Sequence, residues 1–528
     1  MRFVWTPVVE ARAAMNARRM PPLDLAGLLG VAFALRLGVY LFVPNIHWPD
    51  EIYQVMEPAH RLTFGDGAVS WEWALGIRSW LLPGLVAGLM ELGRLLGKSP
   101  TLINLPVALF MAGAACVPVL CGYGWGRHFF GRIGGFIAGG VGAVWIDLVY
   151  MATHTLNEVV AADCLVAALY LGYPGEGRII SRRRLFETGA MLGLTFAFRF
   201  HLVPALAVAS VGICGTRRGF APWRTLIAGA SVPVLALALL DWWTLGAPLQ
   251  SVLLNFWLNI GMGFSDEAGT SSFAVVFALP LYVWGFAAII VLVTMFFGAR
   301  HLPFVFFVML TIFVTHALIP HKEYRFIYPA IPLIMILSGL GTADLVSRLR
   351  IAHSAPPSMR WTMAGGGLLI WSAVSLWIAE SPVFHSPWTR ARAHLAAFRF
   401  MSTMPELCGV GLYGVRWMVT PGQSGLPPSV PLYQSSEPRL AHDAASFNFI
   451  LARQRAPVPD GRYKRLDCFA GDESDRGTWI IHLCVWRRDG GCEPGIAPPL
   501  QINWDYFSKQ FGKPPDEPPG WSDPDAGG

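Results

Sequence analysis

Long apolar runs, separated by short polar or basic loops, fill most of the first 380 residues. Leu23 to Val43, Thr101 to Gly122, Ile133 to Met151, Val275 to Phe297 and Trp361 to Ile378 approach or exceed the roughly 20 residues needed to cross a hydrocarbon core. Basic loops recur at 127–132, 178–184, 217–224, 300–301 and 348–360. The positive-inside rule puts all of them on the cytoplasmic side, so an even number of crossings must separate them. Spans near 23–43, 101–123, 132–151, 156–173, 187–199, 201–214, 224–242, 273–297, 302–319, 326–345 and 361–380 satisfy that condition, about eleven in all, with the C-terminus outside. Arg12, Arg18 and Arg19 lead into a first run long enough to stay as a span, so no cleavable signal is expected and the N-terminus is predicted cytoplasmic.

Two stretches strain this topology. Ser79 to Gly97 is apolar enough to span, yet counting it would carry the 127–132 loop outside, so it reads as an interfacial or re-entrant helix of a first external loop over 44–100. The fifth and sixth spans are short and interrupted by Arg199, Phe200, His201 and Pro204. A broken helix is tolerated in lipid only where protein or a cavity covers it. After about Ser381, Pro, Gly and charged residues increase, and Cys408 to Val415, Ser446 to Leu451 and Trp479 to Trp486 read as short buried strands. The predicted fold class is therefore an all-α polytopic membrane protein (1–380) followed by a small external α/β domain (381–513) and a Pro/Gly/Asp-rich disordered tail (514–528).

Composition supports the membrane class, with 54% hydrophobic and only 14% charged residues, against roughly 25% charged in soluble domains. A net charge of +6 spread through loops carries no nucleic-acid signature. Of the 8 cysteines, Cys116, Cys121, Cys164 and Cys214 lie in or near spans. Only Cys408, Cys468, Cys484 and Cys492 have the setting for disulfides, and then only in an oxidising compartment.

The charge-derived topology was not built on the polar clusters, yet it gathers them on the outer face. These are Asp50 and Glu51, His154 to Glu158, Arg199 and His201, Asp241, Asn255 and Asn259, and His321 to Arg325. Ionisable groups at a span end are costly unless paired or facing water, so their convergence points to one active site at the membrane boundary. The blander readings are a solvated loop for Asp50 and Glu51, an ion pair fixing helix ends for Glu323, and a core histidine for His201. Neither P-loop nor dinucleotide fingerprint is present, and no metal site or cofactor is expected.

The motifs sharpen this picture. Trp48-Pro49-Asp50-Glu51, Glu57-Pro58-Ala59-His60, Gly65-Asp66-Gly67, Ser70-Trp71-Glu72-Trp73 and Arg78-Ser79 follow one another in the first loop. Thr153 to Glu158, with His154 and Asn157, then Asp241 with Gly246, Asn255-Phe256 and Asn259, and His321-Lys322-Glu323-Tyr324-Arg325-Phe326 come later. This set resembles glycosyltransferase family 22, the mannosyltransferases that elongate lipid-linked oligosaccharides and GPI anchors, and their bacterial relatives. Ser70 replaces the usual Thr, His154 the usual Arg and Leu245 the usual Tyr.

The resemblance implies a GT-C fold, a polyprenyl-phosphate sugar donor, a glycolipid or glycan acceptor, contact with membrane lipid, and inverting transfer of mannose or a related hexose. For a bacterial-type member it implies an inner-membrane protein with a periplasmic site; the eukaryotic equivalent is the ER lumen. Inverting displacement needs a carboxylate base and groups that stabilise the leaving phosphate. Asp50 is the candidate base, with Glu51 able to exchange roles. His321, Lys322, Arg325 and Arg199 are candidates for the donor phosphate. His60, Glu72, Arg78, His154, Asn157, Glu158, Asp241, Asn255, Asn259 and Glu323 are expected to bind substrate or organise the loop. A transporter or flippase is the alternative class, although transporters carry repeats and mid-membrane sites that this chain lacks. The same fold using polyprenyl-phosphate arabinose or glucose is a further alternative.

Overall fold

The computed structural model describes residues 22–503 apart from 174, 176–179, 216–218, 350–355, 437–438, 457, 459–460, 473–479, 498 and 501. The N-terminal arginines, the tail 514–528 and parts of the basic loops at 178–184, 217–224 and 348–360 lie outside the described residues. By length and composition, five described helices can cross a membrane: Leu23–Phe42, Pro100–Val144, Ala221–Leu245, Tyr324–Arg348 and Pro357–Ala379. A sixth crossing is added if Val275–Trp284 and Ala287–Ala299, bent by 114°, count as one. Length and composition alone therefore do not reach the predicted eleven. Helices such as Asn157–Gly172, with 16 residues, extend about 24 Å at 1.5 Å per residue, short of a core about 30 Å thick.

The stretch Pro100–Val144 is not one rod. Its first helix ends at Ala114, and the second, Val117–Val144, folds back at Gly131, where φ is 70°. Only glycine adopts that conformation freely. The two arms then lie backbone to backbone, since a Cβ on Gly126 would meet the Gly134 carbonyl oxygen at 2.3 Å. Small residues permit such close approach where lipid supplies no hydrophobic drive. The hairpin thus separates the predicted second and third spans, with the basic loop at its turn.

The central helix, Ile331–Arg348, is buried on every side. Gly341 and Gly298 let it touch Ala287–Ala299, because a Cβ on either would meet a backbone oxygen of the opposite helix at 1.8 Å. Immediately before it, the 3₁₀ turn Tyr324–Ala330 presents Arg325 to the bundle end. Leu81–Leu96 is not one of the five long apolar helices. It buries Leu82, Val86 and Met90 on one face, exposes Leu85, Leu92 and Leu95, and closes on the Pro100 helix at Gly93.

Strands are numbered along the chain, β1 (Val69–Ser70) in the first loop and, beyond the last apolar helix, β2 (Val410–Tyr413), β3 (Leu432–Ser435), β4 (Phe449–Arg453), β5 (Lys464–Asp472), β6 (Ile480–Arg487) and β7 (Ile502–Asn503). Five form a mixed sheet in the order β3-β2-β4-β6-β5. Along β4 the period of two sends Phe449 and Leu451 to one core and Ile450 and Ala452 to another. Helix Arg392–Ser402 covers the first of these with Ala393, Ala397, Phe398 and Met401. The polar strand β5 carries no apolar run that would identify it in sequence. It is held to β6 by the directly opposed Cys468–Cys484 disulfide, and Cys408–Cys492 ties the sheet elsewhere. The sheet region grips the first loop: the Tyr53 hydroxyl donates to Trp417 O at 2.6 Å, and β7 runs parallel to β1 beside the Trp71 turn.

Candidate active site

Asp50 and Glu51 open a π-helical turn, Glu51–Met56, just after the first span. Their fates differ. Glu51 is buried, and both carboxylate oxygens are engaged, one by the His47 backbone N–H at 2.5 Å and the other by His154 Nδ1 at 2.7 Å. Asp50 keeps 23% of its side chain exposed, and its carboxylate lies against the Arg325 guanidinium. Burial pushes the Asp50 carboxyl up to about 6, against the opposing pull of Arg325.

Arg325 gathers three acids that are distant in sequence: Asp50, Glu323, and Glu158 at 3.6 Å. Glu158 also pairs with Arg199 at 3.1 Å. Both guanidinium groups lie over the Phe326 ring, at 5.1 Å for Arg199 and 5.0 Å for Arg325. Glu323 bridges Arg325 and His321, whose Nε2 is 2.8 Å away. Burial works against ionisation of Glu323, but Arg325 and the His321 hydrogen bond prevail and hold it down at about 2. The same hydrogen bond raises His321.

Beside this cluster, Arg78 pairs with Glu72, which also accepts from Gln54 at 3.2 Å. Arg78, Arg199, Asn157, His201 and Asn255 line a cleft, and Nε of both arginines and Nδ1 of His201 are buried there without a partner. A buried donor left unmade is costly, so the cleft is arranged to accept oxygens.

The other sequence candidates are structural in their contacts. Lys322 stands apart from the cluster, donating to the backbone oxygens of Ile319 at 2.6 Å, Ser271 at 2.8 Å and Pro320 at 3.3 Å. Two carbonyls just beyond helix Pro303–Ala317, of Ile319 and Pro320, and the Ser271 carbonyl from another loop hold the ammonium. Asp241 holds Ser251 through its backbone N–H at 3.0 Å and its hydroxyl at 2.6 Å. Asn259 donates to Asn255 Oδ1 at 3.0 Å, and Asn255 reaches back to Ile77 O at 3.4 Å. His60 turns to the Asp66 carbonyl at 2.9 Å, inside the loop.

Two contributors, Gln54 and Asp147, escaped the sequence reading, and a third, Glu57, was read only as part of a motif block. Gln54 supports Glu72. Glu57 accepts from Ala68 N at 2.7 Å and Ser424 N at 2.6 Å, locking the first loop to the sheet region. Asp147 accepts from Tyr324 Oη at 2.6 Å and Trp284 Nε1 at 2.8 Å, anchoring the turn that carries Arg325. An acid within an apolar run was its available signal. Among the described residues, no group of three or more His, Cys, Asp or Glu side chains is arranged to hold a metal ion.

Apolar helices carrying an acid–guanidinium cluster at one end, above a cleft lined by unpaired donors, form the architecture of a membrane glycosyltransferase with the GT-C fold. The fold is similar to that of ArnT from Cupriavidus metallidurans bound to undecaprenyl phosphate, with a TM-score of 0.54 and 14% identity, covering 90% of this chain and 98% of that one. The apo form of the same protein gives a TM-score of 0.55 at 14% identity over the same shares, 90% and 98%. The chain belongs to the Alg9-like mannosyltransferase family, whose model matches residues 29–390. It is 26% identical over 443 residues to GPI mannosyltransferase 3 of Yarrowia lipolytica, covering 79% of this chain and 78% of that protein. To GPI alpha-1,2-mannosyltransferase 3 of Xenopus laevis it is 24% identical over 412 residues, with 72% and 70% covered. Family membership decides for a glycosyltransferase over a transporter.

Proposed function

We propose that the protein transfers mannose from a polyprenyl-phosphate donor to a lipid-linked glycan by inverting displacement, on the outer or luminal face of the membrane. The activity in the relatives' name, GPI alpha-1,2-mannosyltransferase, supports a mannosyl donor and a glycolipid acceptor. The observation that carries the mechanism is the difference within the acidic pair: Asp50 is part-exposed beside Arg325 with its carboxyl pushed up to about 6 by burial, while both oxygens of Glu51 are already taken. Asp50 accepts the acceptor hydroxyl's proton as that oxygen attacks the anomeric carbon. The bond from that carbon to the phosphate oxygen breaks, and its electron pair leaves on the polyprenyl phosphate. Arg199 and Arg78, each with an unpartnered Nε in the cleft, stabilise that charge. Arg325, occupied by three carboxylates, positions Asp50.

The outer-face assignment has support independent of the positive-inside rule. Two disulfides in the sheet region suit an oxidising compartment. That region contacts the first loop through Tyr53, Glu57 and the Arg390–His47 bond, so site and disulfides share one side.

The test is transfer by purified protein from polyprenyl-phosphate mannose to candidate acceptor glycolipids, with and without EDTA, for the parent, Asp50→Asn and Glu51→Gln. Loss of transfer in Asp50→Asn with folding intact is expected. Undiminished transfer by that variant defeats the base assignment, and failure to release mannose to any acceptor defeats the donor assignment.

A further inference from the structure

A second cavity, of about 150 Å³, lies between the end of the first span, the start of helix Pro100–Ala114, the 153–155 turn and helix Arg392–Ser402. Glu51 lines it, whereas neither Asp50 nor any residue of the arginine cluster does. Successive side chains on a helical turn diverge by about 100°, so the acidic pair faces two spaces: Asp50 the guanidinium groups, Glu51 this cavity.

Its polar wall is unusual in sign. His154 is only 4% exposed, and its Nδ1 lies 2.7 Å from Glu51 Oε2. A carboxylate only accepts, so Nδ1 carries the proton. Nε2 has no partner. Two more lining residues repeat the pattern, because Asn45 and Asn104 each spend Nδ2 on a backbone oxygen and leave Oδ1 buried and unpartnered. Two orphaned amide acceptors and the unpartnered His154 Nε2, around a space far larger than the roughly 10–15 Å³ a single water needs, call for a multivalent partner that can donate. Arg399 also lines the space and adds a cation and further donors. An ammonium would meet repulsion from that guanidinium, and a phosphate or carboxylate would offer the two amide oxygens no hydrogens. Hydroxyls satisfy both, since each donates and accepts. The rest of the wall is apolar and includes Val39 and Val43 at the end of the first span, so a hydrocarbon tail has a path toward lipid.

We propose that this cavity binds the hydroxyl-rich head of an amphiphile, held by His154, Asn45 and Asn104 separately from the donor-phosphate cleft. Within the transferase reading, on which the choice of source rests, the head belongs either to the acceptor glycolipid or to a polyol-headed lipid of the surrounding membrane.

Octyl α-mannoside is the probe, with octyl phosphate as the control of equal tail and no sugar hydroxyls, titrated calorimetrically into full-length protein in phosphatidylcholine nanodiscs. Saturable mannoside binding is expected, and octyl phosphate, whose proposed place is the donor cleft, is expected not to displace it. Asn104→Leu, which removes one acceptor, and Ala108→Leu, which fills the space, are each expected to weaken it at least tenfold while leaving the unfolding midpoint near that of the parent. In the transfer assay, competition with the acceptor assigns the site to the acceptor, and inhibition that is not competitive assigns it to a membrane lipid. Absent mannoside binding, its displacement by octyl phosphate, or undiminished mannoside binding in both variants overturns the site. Transfer without mannoside binding sinks this site and leaves the transferase standing; mannoside binding without any transfer does the reverse.

Discussion

Adjacent acids differ in availability because their immediate partners differ, and the proposal makes Asp50 the base. A base raised to about 6 is ionised only above that pH, so kcat/KM is expected to fall about tenfold per pH unit below it. Asp50→Asn should lose about 10²- to 10⁴-fold in kcat and abolish that limb. Glu323 has the opposite sign. Its carboxyl is held near 2, below its ordinary value of 4.5, so its stabilising contribution is present above about pH 4.5 and lost as pH falls toward 2. The gap in unfolding midpoint between the parent and Glu323→Gln should therefore close on acidification, measurable by thermal melts across that window. Lys322 was legible as a charge at a span end but not as a cap: an ammonium chooses among nearby carbonyls, and those of Ser271 come from a distant loop. Accordingly, Arg199→Ala should raise the donor KM and Arg199→Lys should not restore it, whereas Lys322→Ala should lower the unfolding midpoint with little change in that KM.

Among the elements, glycine spacing carries the main prediction. Gly126 meets Gly134 across the hairpin, so Gly126→Val forces the arms apart and should cost several kcal/mol or prevent folding. Gly365 has nothing within 4 Å of its would-be Cβ, and Gly365→Ala should leave the melting temperature unchanged or slightly higher. Span existence was legible here because lipid demands continuous apolar runs. Span ends were not, since helix Pro100–Ala114 stops and the 114° bend between Trp284 and Ala287 turns on Gly285, at φ 52°, inside continuous apolar runs that do not mark the break. Strands β2, β4 and β6 were anticipated within a few residues, whereas the polar β5 depends on pairing that sequence does not display.

For the whole molecule, the sheet region and the membrane bundle behave as one construction around the first loop. Cys408–Cys492 spans 84 residues of chain, and its removal by Cys408→Ser should cost about 2–4 kcal/mol, read as a lower unfolding midpoint under non-reducing conditions. Thiol labelling without reductant should leave Cys408, Cys468, Cys484 and Cys492 unmodified, and labelling after reduction should expose them. The sequence by itself determined the membrane class, the family and the residue types of the site, because apolar length and short motif blocks are local properties. Only tertiary structure decided that Asp50 rather than Glu51 stays available, that Arg325 collects three acids while Lys322 collects none, and that Glu51 and His154 face a cavity of their own. Those outcomes depend on where side chains from distant spans meet, and the partner that desolvates or neutralises a buried charge cannot be read from its own segment.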